Sequence, residues 1–171
     1  YTAMTELLGA ERISRLMAHI KTSAKQIVEL HGGLVNQIRG DEIMAIFSIP
    51  AHEDDPIRAA RAASALRSLG SQIEDEFELG ADLKIRMHIG LATGSIVVKA
   101  GGGLEGAYDI TGDSVNLAAR LTSEATGDSI LCSPETWQRI SGYFDGEQQQ
   151  RVGVKGKSRY VRPWMITDES T

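Results

Sequence analysis

The sequence predicts a single α+β domain in which helices cover a sheet. Segments with the helical period of apolar residues alternate with short β-prone runs, in the order helix, two strands, helix, two strands, helix, strand, helix, two strands. A chain of 171 residues that is 42% hydrophobic is also long enough to bury one core without disulfides. We therefore expect residues 1–171 to form one domain.

The first half of the chain begins with an amphipathic helix over residues 5–30, where apolar residues recur every three or four positions. Gly32-Gly33 is expected to end this helix. The β-prone runs 34–38 and 43–47 follow, and the short segment between them has Gly40-Asp41 at its centre. This arrangement is typical of a hairpin.

The remaining elements are predicted from capping residues, glycine content and β propensity. Aspartates ahead of Pro56 favour a helix start, and the alanine-rich residues 57–69 favour its continuation. The other expected elements are strands at 85–91 and 95–98, a mobile loop at 101–103, a helix capped by Asp113 or Ser114 that runs through Leu121, a strand at 129–132, a short helix opened by Pro134, and a closing strand pair at 151–154 and 160–166.

Composition excludes several functional classes. The net charge of −5 argues against general nucleic-acid binding, which requires clustered Lys and Arg. The chain has neither an apolar stretch long enough for a membrane helix nor a signal peptide, so we expect no direct membrane insertion. The single cysteine, Cys132, lies in an apolar run, which predicts a buried thiol in a reducing, cytoplasmic compartment. A membrane tether elsewhere in the parent protein stays open.

Two polar features stand out against this background. Asn116 and Arg120 are four positions apart in a predicted helix, so their side chains share one face and point over the same groove. Spacing alone leaves open an ordinary polar helix surface. Asp41 at the hairpin tip, taken on its own, is more typical of a simple turn former.

The segment 108–121 resembles the signature of class III adenylate and guanylate cyclases, in which V-N-x-A-x-R recurs. The hairpin region 32–47, the segment from His52 into the alanine-rich helix, Thr93-Gly94 and the segment 154–157 resemble further motifs of the family, in the same order. The resemblance covers nearly the whole chain. It implies the family's ferredoxin-like, palm-like sheet covered by helices.

The resemblance implies an adenylate cyclase that converts ATP into 3′,5′-cyclic AMP and pyrophosphate. Arg120 matches the family arginine that contacts the α-phosphate, and Asn116 matches the asparagine that orients the ribose. Lys155 matches the lysine that holds the terminal phosphates; a solvated hairpin lysine is the alternative interpretation.

The resemblance also implies two divalent cations, Mg²⁺ or Mn²⁺, held by two aspartates. Asp41 matches one of them. The other belongs to a D-I-x-G-[FY]-T motif, of which Tyr1-Thr2 match the last two positions. We therefore expect the first strand of the fold and the second metal-binding aspartate to lie just before Tyr1, in a longer signalling protein.

Base selection in the family depends on two positions, occupied here by Gln37 and Asp109. The carboxylate of Asp109 can accept a hydrogen bond from the exocyclic amine of adenine, which favours ATP over GTP. Gln37 stands where the family usually has lysine; its amide can still reach a purine ring nitrogen, or it is simply the polar side of a strand.

In this family the metal-binding carboxylates come from one subunit and the remaining site residues from the other. The resemblance therefore implies a homodimer with composite active sites. Two alternatives remain: a cyclase-like regulatory module that binds nucleotide without turnover, and a guanylate cyclase. A diguanylate cyclase ranks lowest, because the hairpin does not match the GG[DE]EF motif.

Overall fold

The computed structural model of the chain describes residues 2–100, 108–154 and 159–171. The helices in this part of the chain are α1 (Thr2–Leu8), α2 (Ala10–Leu30), α3 (Asp55–Glu76), α4 (Asp113–Glu124) and α5 (Pro134–Ile140). The strands are β1 (Leu34–Arg39), β2 (Glu42–Ile46), β3 (Ile89–Leu91), β4 (Val97–Ala100), β5 (Tyr108–Thr111), β6 (Ile130–Cys132), β7 (Phe144–Gln148), β8 (Val152–Gly153), β9 (Tyr160–Val161) and β10 (Trp164–Glu169).

A four-stranded sheet in the order β3-β6-β10-β7 forms the centre of the fold. Strands β3 and β6 are parallel, whereas β10 runs antiparallel to both β6 and β7. The inner face of this sheet packs against α3 and α5, and the buried residues between them are Ala60, Ala63, Ile130, Cys132, Ile140, Phe144 and Ile166. The α+β prediction is therefore confirmed.

The expected helix over residues 5–30 is divided into α1 and α2. Gly9 separates them with φ at +80°, a left-handed conformation that glycine adopts without steric cost. Helix α2 then packs on α3, and a second core cluster forms from Ile13, Leu16, Leu69, Ile73 and Ile85. Helix α3 continues beyond the predicted residue 69 to Glu76.

The predicted strand at 85–91 is wrong for its first half, because only Ile89–Leu91 pairs with a neighbour. Two carboxylates accept hydrogen bonds from the backbone N–H groups that a longer strand would use for pairing. Glu74 Oε2 accepts from the N–H of Ile85 at 2.9 Å, and Asp128 Oδ1 accepts from the N–H of Met87 at 2.8 Å.

The closing strand pair is also more divided than predicted. Tyr160–Val161 pairs with Val152–Gly153, while Trp164–Glu169 joins the central sheet. Pro163 lies between these strands and has no N–H to donate to a ladder. Strands β5 and β7 were not predicted. The 101–103 loop lies outside the described residues.

Cys132 is fully buried in the central sheet, as the sequence predicted. Burial raises the pKa of its thiol to about 12, because a thiolate there would lose its hydration. No helix in the described part of the chain combines the length and hydropathy needed to cross a bilayer.

Helix α4 begins at Asp113, and Gly112 with φ at +147° is the residue before it; neither Asp113 nor Ser114 is the N-cap. The helix lies directly on β3. At Gly90 its backbone comes so close that a Cβ atom built there would lie 2.6 Å from the Thr122 nitrogen and would also collide with the Ala118 carbonyl oxygen. Glycine at position 90 therefore sets the position of α4.

We expect Gly90→Ala to destabilise the protein by about 2 kcal/mol, since the added methyl meets backbone that cannot rotate away. Thermal unfolding should show this as a drop in Tm of several degrees. Gly80→Ala is the matched control, because a Cβ at Gly80 meets nothing within 4 Å and should change stability by less than about 0.5 kcal/mol. Equal Tm values for both variants would contradict the close approach.

Candidate active site

One face of α4 opens onto a cleft of about 870 Å³. Its lining residues come from α4 and from the chain around β8: Asn116, Ala119, Arg120, Ser123, Gly153 and Val154. Asn116 and Arg120 thus share one helix face and one cleft. The catalytic roles that the family resemblance implies for these two residues stay predictions.

The Arg120 guanidinium is held at two points. Its Nε donates to the carbonyl oxygen of Gly153 at 2.9 Å, and its Nη1 lies 2.9 Å from Glu124 Oε1, one helical turn further along α4. Both side chains of this ion pair are more than one third exposed, at 39% and 37%. An exposed i,i+4 pair stabilises by only about 0.3–0.5 kcal/mol, so the contact with Glu124 is the weaker of the two that hold Arg120.

Lys155, the predicted partner of the terminal phosphates, lies outside the described residues. Its neighbour Val154 is described, and is both buried in a core cluster and part of the cleft lining.

Gln37 and Asp109 lie on β1 and β5, and these two strands are tied together by Asn36. The Asn36 amide donates to the carbonyl oxygen of Tyr108 at 3.0 Å and accepts from the N–H of Tyr108 at 2.8 Å. Asn36 is the extra residue of a β-bulge, because Val35 pairs with Ala45 and Gln37 with Met44. Gln37 thus directly follows Asn36 in the chain, and Asp109 directly follows Tyr108.

Asp41 lies at the exposed tip of the β1–β2 hairpin, next to Gly40 with φ at +57°. It does not belong to the cleft lined by Asn116 and Arg120. Among residues 2–100, 108–154 and 159–171, no group of three or more His, Cys, Asp or Glu side chains could hold a metal ion. Within one chain, the cleft that contains Arg120 and the carboxylate of Asp41 at the hairpin tip are therefore separate features.

Two residues of the site were missed in the sequence. Glu124 follows Arg120 at the i,i+4 spacing at which opposite charges pair on a helix, so this contact could have been predicted from the sequence. Asn36 gave no such signal, because its partner is the backbone of a residue 72 positions away.

The α+β domain places the amide of Asn116 and the guanidinium of Arg120 in one open cleft. Such a cleft is typical of proteins that bind an anionic ligand. Comparison with known proteins identifies the family. The chain belongs to the adenylate and guanylate cyclase catalytic domain family, whose model matches residues 1–167. The fold predicted from the class III cyclase resemblance is therefore confirmed.

Individual relatives agree with this assignment. An adenylate cyclase of Mycobacterium tuberculosis is 28% identical over 153 residues, which cover 89% of this chain and 33% of the relative. An adenylate cyclase of Streptomyces coelicolor is 28% identical over 131 residues, covering 77% and 29%. The chain thus spans about a third of the length of these curated relatives.

Two solved structures are equally similar in fold. The adenylyl cyclase CyaB from P. aeruginosa has a TM-score of 0.89 at 27% identity, covering 98% of this chain and 88% of that one. The guanylyl cyclase Cya2 also has a TM-score of 0.89, at 25% identity, with coverage of 99% and 87%. The backbone alone therefore does not separate the two substrates.

We expect Asn36→Ala to lower the free energy of unfolding by about 1–3 kcal/mol, because it removes two hydrogen bonds and leaves backbone groups of Tyr108 without them. Urea unfolding measures the loss. Gln148→Ala, which removes an exposed amide from β7, should have little effect. A wild-type unfolding midpoint for Asn36→Ala would show that the tether contributes nothing.

Proposed function

We propose that this chain is an adenylate cyclase catalytic domain that converts ATP into 3′,5′-cyclic AMP and pyrophosphate at sites shared between two copies. The observation that carries the proposal is the common cleft of Asn116 and Arg120 on the family's signature helix. The adenylate cyclases among its relatives support it further.

The proposed reaction is an intramolecular displacement. The ribose 3′ oxygen forms a bond to the α-phosphorus and gives its proton to water, while the bond from that phosphorus to the bridging oxygen breaks and its electron pair leaves with pyrophosphate. Negative charge builds on the α-phosphate in the transition state. A planar, permanently charged guanidinium at Arg120 stabilises that charge, and its bond to the Gly153 carbonyl fixes the fork before substrate arrives.

Asn116 lies one helical turn before Arg120 and lines the same cleft, which supports the proposal that its amide holds the ribose. Orientation of the 3′ hydroxyl matters, because cyclisation requires the oxygen to approach in line with the leaving group. Lys155 is proposed to hold the terminal phosphates, where a compact charge is well suited.

Divalent cations fit the donor chemistry of Asp41. Mg²⁺ and Mn²⁺ prefer oxygen ligands, and Mg²⁺ is commonly held by one or two carboxylates together with substrate phosphates. Bound there, the ions would lower the pKa of the 3′ hydroxyl and neutralise the triphosphate. Asp41 offers one carboxylate from an exposed turn, and the family resemblance implies a second aspartate as its partner in each metal site.

We propose a homodimer because the family resemblance implies composite sites, and the separation of these features within one chain is compatible with it. Asp41 is outside the cleft that holds Arg120, so the catalytic constellation forms when the hairpin of one copy faces the cleft of the other. A shift between the subunits would then separate the reacting groups and switch the enzyme off.

A nucleotide-binding regulatory module is the second candidate, favoured by the neutral Gln37 at the family's lysine position and by the pairing of Arg120 with Glu124. Such a module would bind ATP without forming product. The same assay decides between the two.

We expect the full-length protein to form cyclic AMP from ATP in the presence of Mn²⁺ or Mg²⁺. Arg120→Ala should lower kcat by about 10²–10³, the cost of removing one preorganised transition-state donor. Asp41→Asn should abolish metal-dependent turnover, because it removes an ionised oxygen ligand. Product is quantified by chromatography, with circular dichroism to confirm folding.

Two matched variants serve as controls. Arg139→Ala removes an exposed arginine from α5, and Glu42→Gln neutralises the residue next to Asp41; both should keep wild-type activity. Full activity of Arg120→Ala or Asp41→Asn would refute the assignment. Tight ATP binding without cyclic AMP from the wild-type protein would establish the regulatory module instead.

A further inference from the structure

Gln37 has a side-chain partner on its own strand. Gln37 and Arg39 are two positions apart on β1, so their side chains lie on the same face of the strand. In the amide orientation that satisfies both groups, the Gln37 side-chain oxygen accepts hydrogen bonds from Nε and Nη2 of Arg39, each at 2.8 Å. One edge of the guanidinium thus holds one end of the amide.

This contact fixes which end of the amide is free. A guanidinium has only donors, so the reverse orientation would place the amide NH₂ against other N–H groups. The Gln37 oxygen is therefore turned toward Arg39, and the NH₂ group remains available to a ligand. Without Arg39 the two ends of the amide could exchange by a simple rotation.

The free end decides which purine edge can be bound. Adenine presents an acceptor at N1 and a donor at its exocyclic amine, whereas guanine presents a donor at N1 and an acceptor at its carbonyl oxygen. A donor from Gln37 and an acceptor from Asp109 match adenine at both positions and guanine at neither. A freely rotating amide could match the guanine N1–H with its oxygen.

The strand arrangement supports the joint use of these two residues. The Asn36 tether holds Tyr108 against β1, and the residues that follow its two ends are Gln37 and Asp109. Both side chains are exposed and thus accessible to a ligand.

We propose that Arg39 is a specificity-determining positioning residue: it orients the Gln37 amide so that the site accepts adenine and discriminates against guanine. This inference rests on the proposed function, because it concerns the base pocket of that same site. In this proposal, the contact with Arg39 makes the amide NH₂ of Gln37 a fixed hydrogen-bond donor. A lysine, which is the residue the family usually has at this position, would also be a donor.

The test compares the affinities of the full-length protein for 3′-deoxy-ATP and 3′-deoxy-GTP, which lack the attacking hydroxyl and cannot be cyclised. The ratio of the two Kd values, measured by calorimetry, reports base preference independently of turnover. We expect the wild-type protein to prefer the adenine nucleotide. Arg39→Ala should reduce this preference about tenfold, the factor associated with one mispaired hydrogen bond.

The Gln37→Lys background separates two possible effects of Arg39→Ala: loss of the amide orientation and a general distortion of the β1–β2 hairpin. A lysine has only donors and needs no orienting partner, so Arg39→Ala in the Gln37→Lys background should leave the preference unchanged. Arg39→Lys in the native background should retain part of the preference, because an ammonium donates but lacks the planar fork.

An unchanged ratio for Arg39→Ala, an equal loss in both backgrounds, or a wild-type preference for the guanine nucleotide would each overturn the inference. The proposed function is judged separately by cyclic AMP formation from ATP. Cyclic AMP formation with no effect of Arg39 on base preference refutes this inference alone. The expected ratios without any cyclic product refute catalysis alone, and failure to bind either nucleotide overturns both.

Discussion

The close approach of α4 to β3 at Gly90 is the constraint on which the arrangement of the cleft depends. Helix backbone lies against strand backbone there, with no room for a side chain between them. The buried residues Leu117 and Leu121 fix the rotation of the helix by packing with Ala125, Leu131 and Val154. The polar residues of α4 that this rotation leaves facing the cleft are Asn116, Arg120 and Ser123. The central sheet thereby sets the geometry of the proposed catalytic groups, as preorganised catalysis requires.

The charged contacts around this scaffold differ in their strength. Arg120 donates to the carbonyl oxygen of Gly153, which is part of β8 and cannot move without that strand. Its second contact is an exposed and weak ion pair with Glu124. Under the proposed function, substrate phosphate would displace Glu124 and leave the hydrogen bond to the Gly153 carbonyl in place. The carboxylate of Asp41 at the hairpin tip lies outside the same cleft, so within one chain it does not pair with Arg120. This separation of charges accounts for the proposed requirement for two copies.

Local signals in the sequence predicted the hairpin and the helical spacing of Asn116 and Arg120 correctly, because turn residues and the helical period act over a few positions. The errors arose where distant groups decide the structure. Glu74 and Asp128 take the backbone donors of Ile85 and Met87, and Asn36 recruits Tyr108 from far along the chain. No pattern within one segment reports such partners. Base preference is harder still, since it depends on which end of one amide is free.

Mixing two inactive variants tests the composite site most directly. Asp41→Asn and Arg120→Ala each damage a different half of the proposed site, so a mixed dimer contains one site with both defects and one with neither. Random pairing of equal amounts should make half of the dimers mixed, each with one intact site, and restore cyclic AMP formation to about one quarter of the wild-type rate. Activity that stays at the level of the separate variants, under conditions where subunits demonstrably exchange, would contradict the account.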